Sequence, residues 1–285
     1  MRLARRAIAN ARAIARAMTR DASAGGGGGG GGGSARDASC PSEFRFAATN
    51  DSTEKDSVGH EARRNPPGVD GKLRGFAYFE SLGSPKYHVA PMVDQSELAF
   101  RELCRRHGAT LAYTPMIHAR LFVESPKYRR EIFSTSSSDR PLLAQFCAND
   151  PDILLEAATL IAPYCDGVDI NFGCPQRIAK RGNYGAFLMD DWKTVDALIR
   201  ALDESLPVPV TAKIRVYDDL ETTLKYAKMV EAAGAQLIAV HGRTREQKRC
   251  ADIRANWYVI TDAARRDAMM RSRVIIRSFL CDEWP

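Results

Sequence analysis

The thiol of Cys174 lies in the run Asn171-Phe172-Gly173-Cys174-Pro175-Gln176. Glycine permits an unusual turn just before the thiol, and proline fixes the chain direction just after it. A cysteine held this way can act as a nucleophile or as a general acid. A thiol of ordinary pKa, about 8.5, keeps its proton at neutral pH and can donate it to a carbanion-like carbon. A cysteine without such flanks is more simply a small buried hydrophobe.

Two further groups of residues carry chemistry. In Ala212-Lys213-Ile214-Arg215 the two cations share one face of a strand, and buried cations require an anionic partner. A cofactor satisfies that need, because a lysine beside a flavin ring stabilises its anionic reduced form; Asp169 is the protein-internal alternative. In His241-Gly242-Arg243-Thr244, the imidazole beside a glycine can approach a cofactor closely and Arg243 can hold phosphate, with a satisfied core histidine as the other reading. Two loops near these residues are basic. One carries Arg177, Lys180 and Arg181 without an acid over residues 176–189. The other carries Arg243, Arg245, Lys248 and Arg249 against Glu246 alone. Around one mouth they make a rim suited to a phosphate backbone.

Elements that position these residues follow a strand-then-helix rhythm from Tyr87 onward. Strands are expected at Tyr87–Val93, Thr110–Met116, Pro141–Ala148, Gly167–Phe172, Val208–Val216, Gln236–His241 and Arg273–Phe279. Helices are expected at Ser96–His107, with Ser96 as N-cap and Gly108 closing it, and at Asp152–Tyr164, Asp191–Ser205, Leu220–Ala233 and Asn256–Met270. The strands are mostly apolar, the mark of parallel strands buried on both faces and built from βα units. No GxGxxG follows the first strand, which weakens a dinucleotide-binding open sheet. Gln145, Asn171 with Cys174, Lys213 with Arg215, and His241 with Arg243 all fall at strand ends, where (β/α)8 barrels gather their chemistry. An α/β fold of the TIM (β/α)8-barrel type is therefore expected, incomplete, with six to seven strands.

Composition narrows the classes. The chain has 285 residues, 45% hydrophobic and 27% charged, values of an ordinary globular protein. No apolar run approaches the roughly 20 residues of a bilayer span, so no membrane partner is expected. The net charge of +6 is local: residues 1–20 hold six Arg and no acid, which leaves 35 basic and 35 acidic side chains elsewhere. That Arg- and Ala-rich leader reads as a transit peptide for a mitochondrion or plastid, with a basic tail on a cytoplasmic or nuclear protein as the alternative. Nine glycines, Gly25 to Gly33, open a stretch read as disordered linker over residues 21–85, and the folded barrel domain is placed at 86–285. Seven cysteines without a CxxC pair indicate neither a zinc site nor a disulfide framework. A monomer is expected.

At these residues the sequence resembles the tRNA-dihydrouridine synthases. The likeness runs from His88 to about Trp257. It is carried by Ala90-Pro91-Met92-Val93, Ala144-Gln145-Phe146, Asp169 to Gln176, Gly182-Asn183-Tyr184-Gly185-Ala186-Phe187-Leu188, Lys213-Ile214-Arg215 and Val240 to Thr244. The run from Cys174 to Leu188 looks like the eukaryotic branch acting on D-loop positions 16 and 17. The resemblance implies an FMN-bound barrel that reduces the C5=C6 bond of uridine in tRNA, with NADPH reducing the flavin. It implies that Cys174 protonates C5 while hydride reaches C6. Pro91, Met92, Gln145, Lys213 and His241 would contact the flavin, and Asn171 would lie near flavin and uracil. Arg243 and Arg215 would be auxiliary contacts, with Arg215 joining Arg177, Lys180, Arg181, Arg245 and Lys248 on the RNA. The target base must be extruded to be reached. The residues after about Trp257 depart from the family and the phosphate-gripping loops of its last strands are missing, so a C-terminally truncated barrel is expected, with an exposed edge on its first strand. Two other readings stand beside this one: a different FMN barrel acting on a small molecule, and an inactive RNA-binding fragment.

Overall fold

The computed structural model describes residues 72–248 and 255–256 with their side chains, and the backbone of 44–45 and 274–277. The leader expected at 1–20 and nearly all of the linker up to residue 71 lie outside the described residues.

In chain order the elements are β1 (Phe44–Arg45), α1 (Gly75–Ser81), β2 (His88–Val89), α2 (Leu98–Arg106), β3 (Leu111–Tyr113) and β4 (Ile117–His118). Then come α3 (Ala119–Glu124), α4 (Pro126–Ile132), β5 (Ser134–Thr135), β6 (Leu142–Cys147), α5 (Pro151–Ile161) and β7 (Gly167–Phe172). The chain continues through α6 (Arg177–Arg181), α7 (Trp192–Ser205), β8 (Val210–Arg215), α8 (Leu220–Ala232), β9 (Leu237–His241) and β10 (Val274–Arg277). One curled parallel sheet runs β10-β9-β8-β7-β6-β3-β2, with β4 also on β6, while β1 and β5 form a separate antiparallel pair. This is an incomplete (β/α)8-type barrel, as the strand rhythm implied.

Helix starts follow the local chemistry. Asp150 accepts from the backbone N–H of Asp152 and Ile153 ahead of Pro151 at the head of α5, and Asp191 and Asp219 do the same for α7 and α8. Gly108 and Gly234 adopt φ of 95° and 125° just past α2 and α8, the left-handed geometry that ends a helix.

Side chains alternate strictly across the strands. Outward positions are apolar: Leu142, Ala144 and Phe146 on β6, Val168, Ile170 and Phe172 on β7, Val210, Ala212 and Ile214 on β8, Ile238 and Val240 on β9. They pack beneath α5 (Leu154, Ala157, Ala158, Ile161) and α7 (Val195, Leu198, Ile199, Leu202). Each large side chain so buried contributes about 1.5–3 kcal/mol. The inward positions divide into two. Near the strand starts, Leu111, Tyr113, Leu143 and Leu237 cluster with Tyr78 and Leu82. Near the strand ends, the inward residues are polar, and they build the site.

Several expectations are corrected. The linker does not reach residue 85, because α1 folds at Gly75–Ser81 and its buried Tyr78 donates to the Asp166 carbonyl at 3.0 Å. Gly167 makes room for it: a Cβ there would stand 2.2 Å from the Tyr78 hydroxyl. Ser96 does not cap α2, whose N-cap position is Glu97 with no side-chain cap. The Ser96 hydroxyl instead turns back on Met92, accepting from its N–H and donating to its carbonyl, each at 3.0 Å. The first strand pairs over only His88–Val89. The second breaks around Pro115, which has no N–H to donate, and resumes as β4 three residues further along β6 with its register slipped by one. The short α3 and α4 were not anticipated. The seventh strand forms as β10, parallel to β9, whereas the helix expected at Asn256–Met270 lies outside the described residues beyond its first residue.

Candidate active site

Parallel register stacks the inward residues into rows. Gln145, Asp169, Thr211 and Leu237 form one row, Asn171, Lys213 and Ala239 the next toward the strand ends, and Arg215 and His241 the last. Cys174 follows β7 by two residues. Its loop is fastened from below by Asn171, whose Oδ1 accepts from the backbone N–H of Gly173 at 3.0 Å and of Cys174 at 2.8 Å. It is fastened from the side by the Ala186 N–H, which donates to the Cys174 carbonyl at 3.0 Å. Gly185, at φ 65°, permits that approach: a Cβ would meet the Cys174 carbonyl oxygen at 2.8 Å. The thiol is half-buried against a small cluster of Cys147, Tyr184, Met116 and Phe187. Burial pushes the Cys147 thiol up to about 12 and the Tyr184 hydroxyl likewise, so both are protonated neighbours of Cys174.

Electrostatics in the upper rows favour an anion. Burial lowers Lys213 to about 8 although Asp169 supports its charge. Burial raises Asp169 to about 6 against hydrogen bonds from Thr211 and Gln145. His241 is held neutral, its pKa pushed down to about 3 by burial and then by Lys213, Arg215 and Arg243. A cleft of about 610 Å3 opens beside these groups, lined by Pro175, Gln176, Phe187, Arg215, His241, Arg243, Gln247 and the cations Arg177, Lys180 and Lys248. That volume suits a small organic ligand.

The structure thus gathers most of the expected residues at one end of the sheet. Cys174, Asn171, Gln145, Lys213, His241 and Arg243 fall in the strand-end rows or the loops directly after them. Pro91 and Met92 follow β2, half-buried, and are not among the cleft-lining residues. Arg177, Lys180, Arg181 and Lys248 are exposed, as a rim requires. Arg245 is half-buried, ion-paired with Asp190 and Glu246, and its guanidinium sits 5.6 Å from the Phe187 ring centre beside the Lys248 ammonium at 5.7 Å. Arg249 lies outside the described residues. The clearest difference concerns Arg215. It is 7% exposed and spends its donors on the carbonyls of Gly173 (2.6 Å), Thr244 (2.8 Å) and Gln247 (3.3 Å). It ties the Cys174 loop to the loop after β9 while its side chain also lines the cleft.

Sequence reasoning missed Thr211, Ser96 and the enclosing role of Gly185. Counting by twos along β8 from Lys213 would have found Thr211 on the same inward face. Among the described residues no helix is long and apolar enough to cross a membrane, and no cluster of three or more His, Cys, Asp or Glu could hold a metal.

A parallel sheet with a backbone-braced cysteine, a lysine and a neutral histidine at its strand ends defines a (β/α)8-type barrel with a candidate active site. The chain belongs to the dihydrouridine synthase family, whose sequence pattern it matches over residues 88–268. It is 59% identical over 192 residues to the tRNA-dihydrouridine(16/17) synthase [NAD(P)(+)] of Saccharomyces cerevisiae, covering 66% of this chain and 45% of that protein. It is 55% identical over 179 residues to the protein of that name from Schizosaccharomyces pombe, covering 62% and 45%. To a human tRNA-dihydrouridine(20a/20b) synthase [NAD(P)+]-like protein it is 44% identical over 162 residues, covering 56% and 51%. The chain spans about half the length of these relatives.

Proposed function

We propose that this chain reduces uridine to 5,6-dihydrouridine in tRNA, at D-loop positions 16 and 17, with FMN as its cofactor and NADPH as the reductant. The observation that carries the reading is Cys174: a thiol braced through its backbone by Asn171, one loop away from the Lys213 and His241 rows. The greater identity to the 16/17 synthases than to a 20a/20b protein supports the choice of positions.

The residues present fit a flavin mononucleotide. Lys213, Arg215 and Arg243 all act on His241 at the strand ends, and Arg215, His241 and Arg243 line the cleft, a cationic setting that suits an anionic ligand. Lys213 and His241, with Asn171, would hold its ring, the fully buried Gln145 acting through Asn171, and Arg243 would hold its phosphate-bearing side. The chemistry such a group would supply when bound is hydride for C6 of uracil. Cys174 donates its proton from Sγ to C5 as that carbon gains electron density. Asn171 keeps the Cys174 backbone fixed while the proton moves. His241, neutral across the physiological range, offers a hydrogen bond without adding charge beside Lys213. Arg177, Lys180 and Lys248 on the cleft wall, with Arg181 next to them, attract the phosphate backbone that delivers the extruded base.

The test is dihydrouridine formation in unmodified tRNA with FMN and NADPH, read by mass spectrometry of the nucleosides. Cys174→Ala is expected to lower the rate about a hundredfold or more, the worth of a positioned proton donor. Equal rates for the two proteins would remove the assignment.

A further inference from the structure

We propose that Asp169 is a positioning residue for the Cys174 loop, acting through Gln145 and Asn171. The inference rests on the reading of Cys174 as proton donor and adds a residue to it. Three side chains form one line from the Gln145–Asp169 row to the backbone of Cys174. The Asp169 carboxylate accepts from Gln145 Nε2 at 2.7 Å, Gln145 Oε1 accepts from Asn171 Nδ2 at 2.8 Å, and Asn171 Oδ1 accepts from the N–H groups of Gly173 and Cys174. Thr211 donates to the other carboxylate oxygen at 2.6 Å.

The order of atoms along this line is what matters. A primary amide can face either way, so nothing in Gln145 or Asn171 alone decides which end presents oxygen. A carboxylate only accepts. With Asp169 at the foot, Gln145 must aim its NH2 downward and its oxygen upward. Asn171 must then aim its NH2 at Gln145, which leaves its oxygen for the two backbone donors. Reverse either amide and two acceptors or two donors face each other inside a site where Asp169 and Gln145 are fully buried. The two backbone N–H donors at the head demand the same sense, so Asp169 anchors the line from its other end, two residues removed from the backbone it steadies. The carboxylate stays ionised at neutral pH, since burial raises it only to about 6 and Lys213 supports the charge.

A buried acid that served only to balance Lys213 would behave differently under substitution. Asp169→Asn can keep the line in one of its two amide orientations, with its oxygen accepting from Gln145 and its NH2 turned to the Thr211 hydroxyl. Asp169→Ala removes the foot. The experiment compares the full chain with Asp169→Ala, Asp169→Asn, Asn171→Ala and the double Asp169→Ala/Asn171→Ala variant. Two rates are read: alkylation of Cys174 by iodoacetamide, followed on its peptide by mass spectrometry, and kcat and KM for uridine reduction in tRNA. Asp169→Ala is expected to speed the alkylation of Cys174 and to lower kcat, each about tenfold or more, with KM for tRNA unchanged, as loss of orientation requires. Asp169→Asn, which can still accept from Gln145 but no longer enforces the sense of the line, is expected to fall between the unchanged protein and Asp169→Ala in both rates, and the double variant is no worse than Asn171→Ala, because the two act on one line. The proposal is overturned if Asp169→Ala matches the unchanged protein in both rates, if Asp169→Asn is as impaired as Asp169→Ala, or if the double variant shows the sum of the single effects. Should Asp169→Ala not fold, Gln145→Met cuts the same line at similar volume, and an unchanged Cys174 alkylation rate there overturns the proposal equally. The alkylation rate needs neither tRNA nor reductant. A chain that shows the alkylation pattern but no uridine reduction keeps the positioning role and loses the proposed function.

Discussion

At the starts of β3, β6, β7 and β9 the inward positions are Leu111 and Tyr113, Leu143, Gly167 and Leu237, and Tyr78 of α1 fills the space between them. Two to four residues further along β6, β7, β8 and β9 the inward positions are Gln145, Asp169 and Asn171, Lys213 and Arg215, and His241. Strands β6, β7 and β9 take part at both ends, with the same inward face. One end is apolar, filled and plugged by a helix; the other is polar, charged and open to a cleft. The difference teaches that the sheet keeps its stability and its chemistry apart by position along each strand, so that charges can be concentrated at one end without loosening the other.

This separation can be broken, and the largest effect is expected at the filled end. Tyr78→Ala should cost about 3–5 kcal/mol of unfolding free energy, as removal of a buried aromatic side chain does. Cys174 alkylation in the folded variant should stay unchanged. If alkylation changes as well, the two ends are not independent. Gly185→Ala attacks the open end. Its Cβ would press on the Cys174 carbonyl oxygen at 2.8 Å, and its φ of 65° is one that an alanine adopts only under strain. We expect kcat for uridine reduction to fall about a hundredfold, while stability drops by only about 1–2 kcal/mol. A variant with full kcat would show that the loop does not need that close approach.

The smallest effect sharpens the comparison through pH. The folded pKa of His241, about 3, lies below its ordinary 6.5 because burial and three cations oppose its protonation. The stability gained by keeping it neutral is therefore complete above pH 6.5 and is lost as pH falls toward 3. Between pH 7 and pH 5 the chain should lose about 1 kcal/mol through this group, after allowance for solvent screening. His241→Gln should not lose it, and denaturant unfolding of both proteins across that range measures the difference.

Much of this arrangement was legible in the residues. Apolar strands separated by capped helices gave the parallel barrel sheet, and polar residues at strand ends marked where chemistry gathers. Cys174, Lys213 and His241 stood out because their neighbours made no sense as ordinary core. The parts that were not legible depend on distant contacts. The polar, glycine-rich flank of α1 hid a helix whose formation depends on the hole left by Gly167, almost ninety residues later in the chain. Ser96 carries the signature of a helix cap, yet the turn after β2 brings Met92 within its reach first. Arg215 resembles a ligand-binding cation in a basic rim, but only the folded loops reveal three carbonyls around it.

The Arg215 guanidinium has a consequence for entropy. One side chain grips backbone that lies 42 residues upstream and 29 to 32 residues downstream of it. Holding loop backbone in one conformation costs about 1–2 kcal/mol per residue, and here folding has already met that cost on both sides of the cleft. A ligand arriving between these loops finds them ordered, so more of its contact energy remains as affinity.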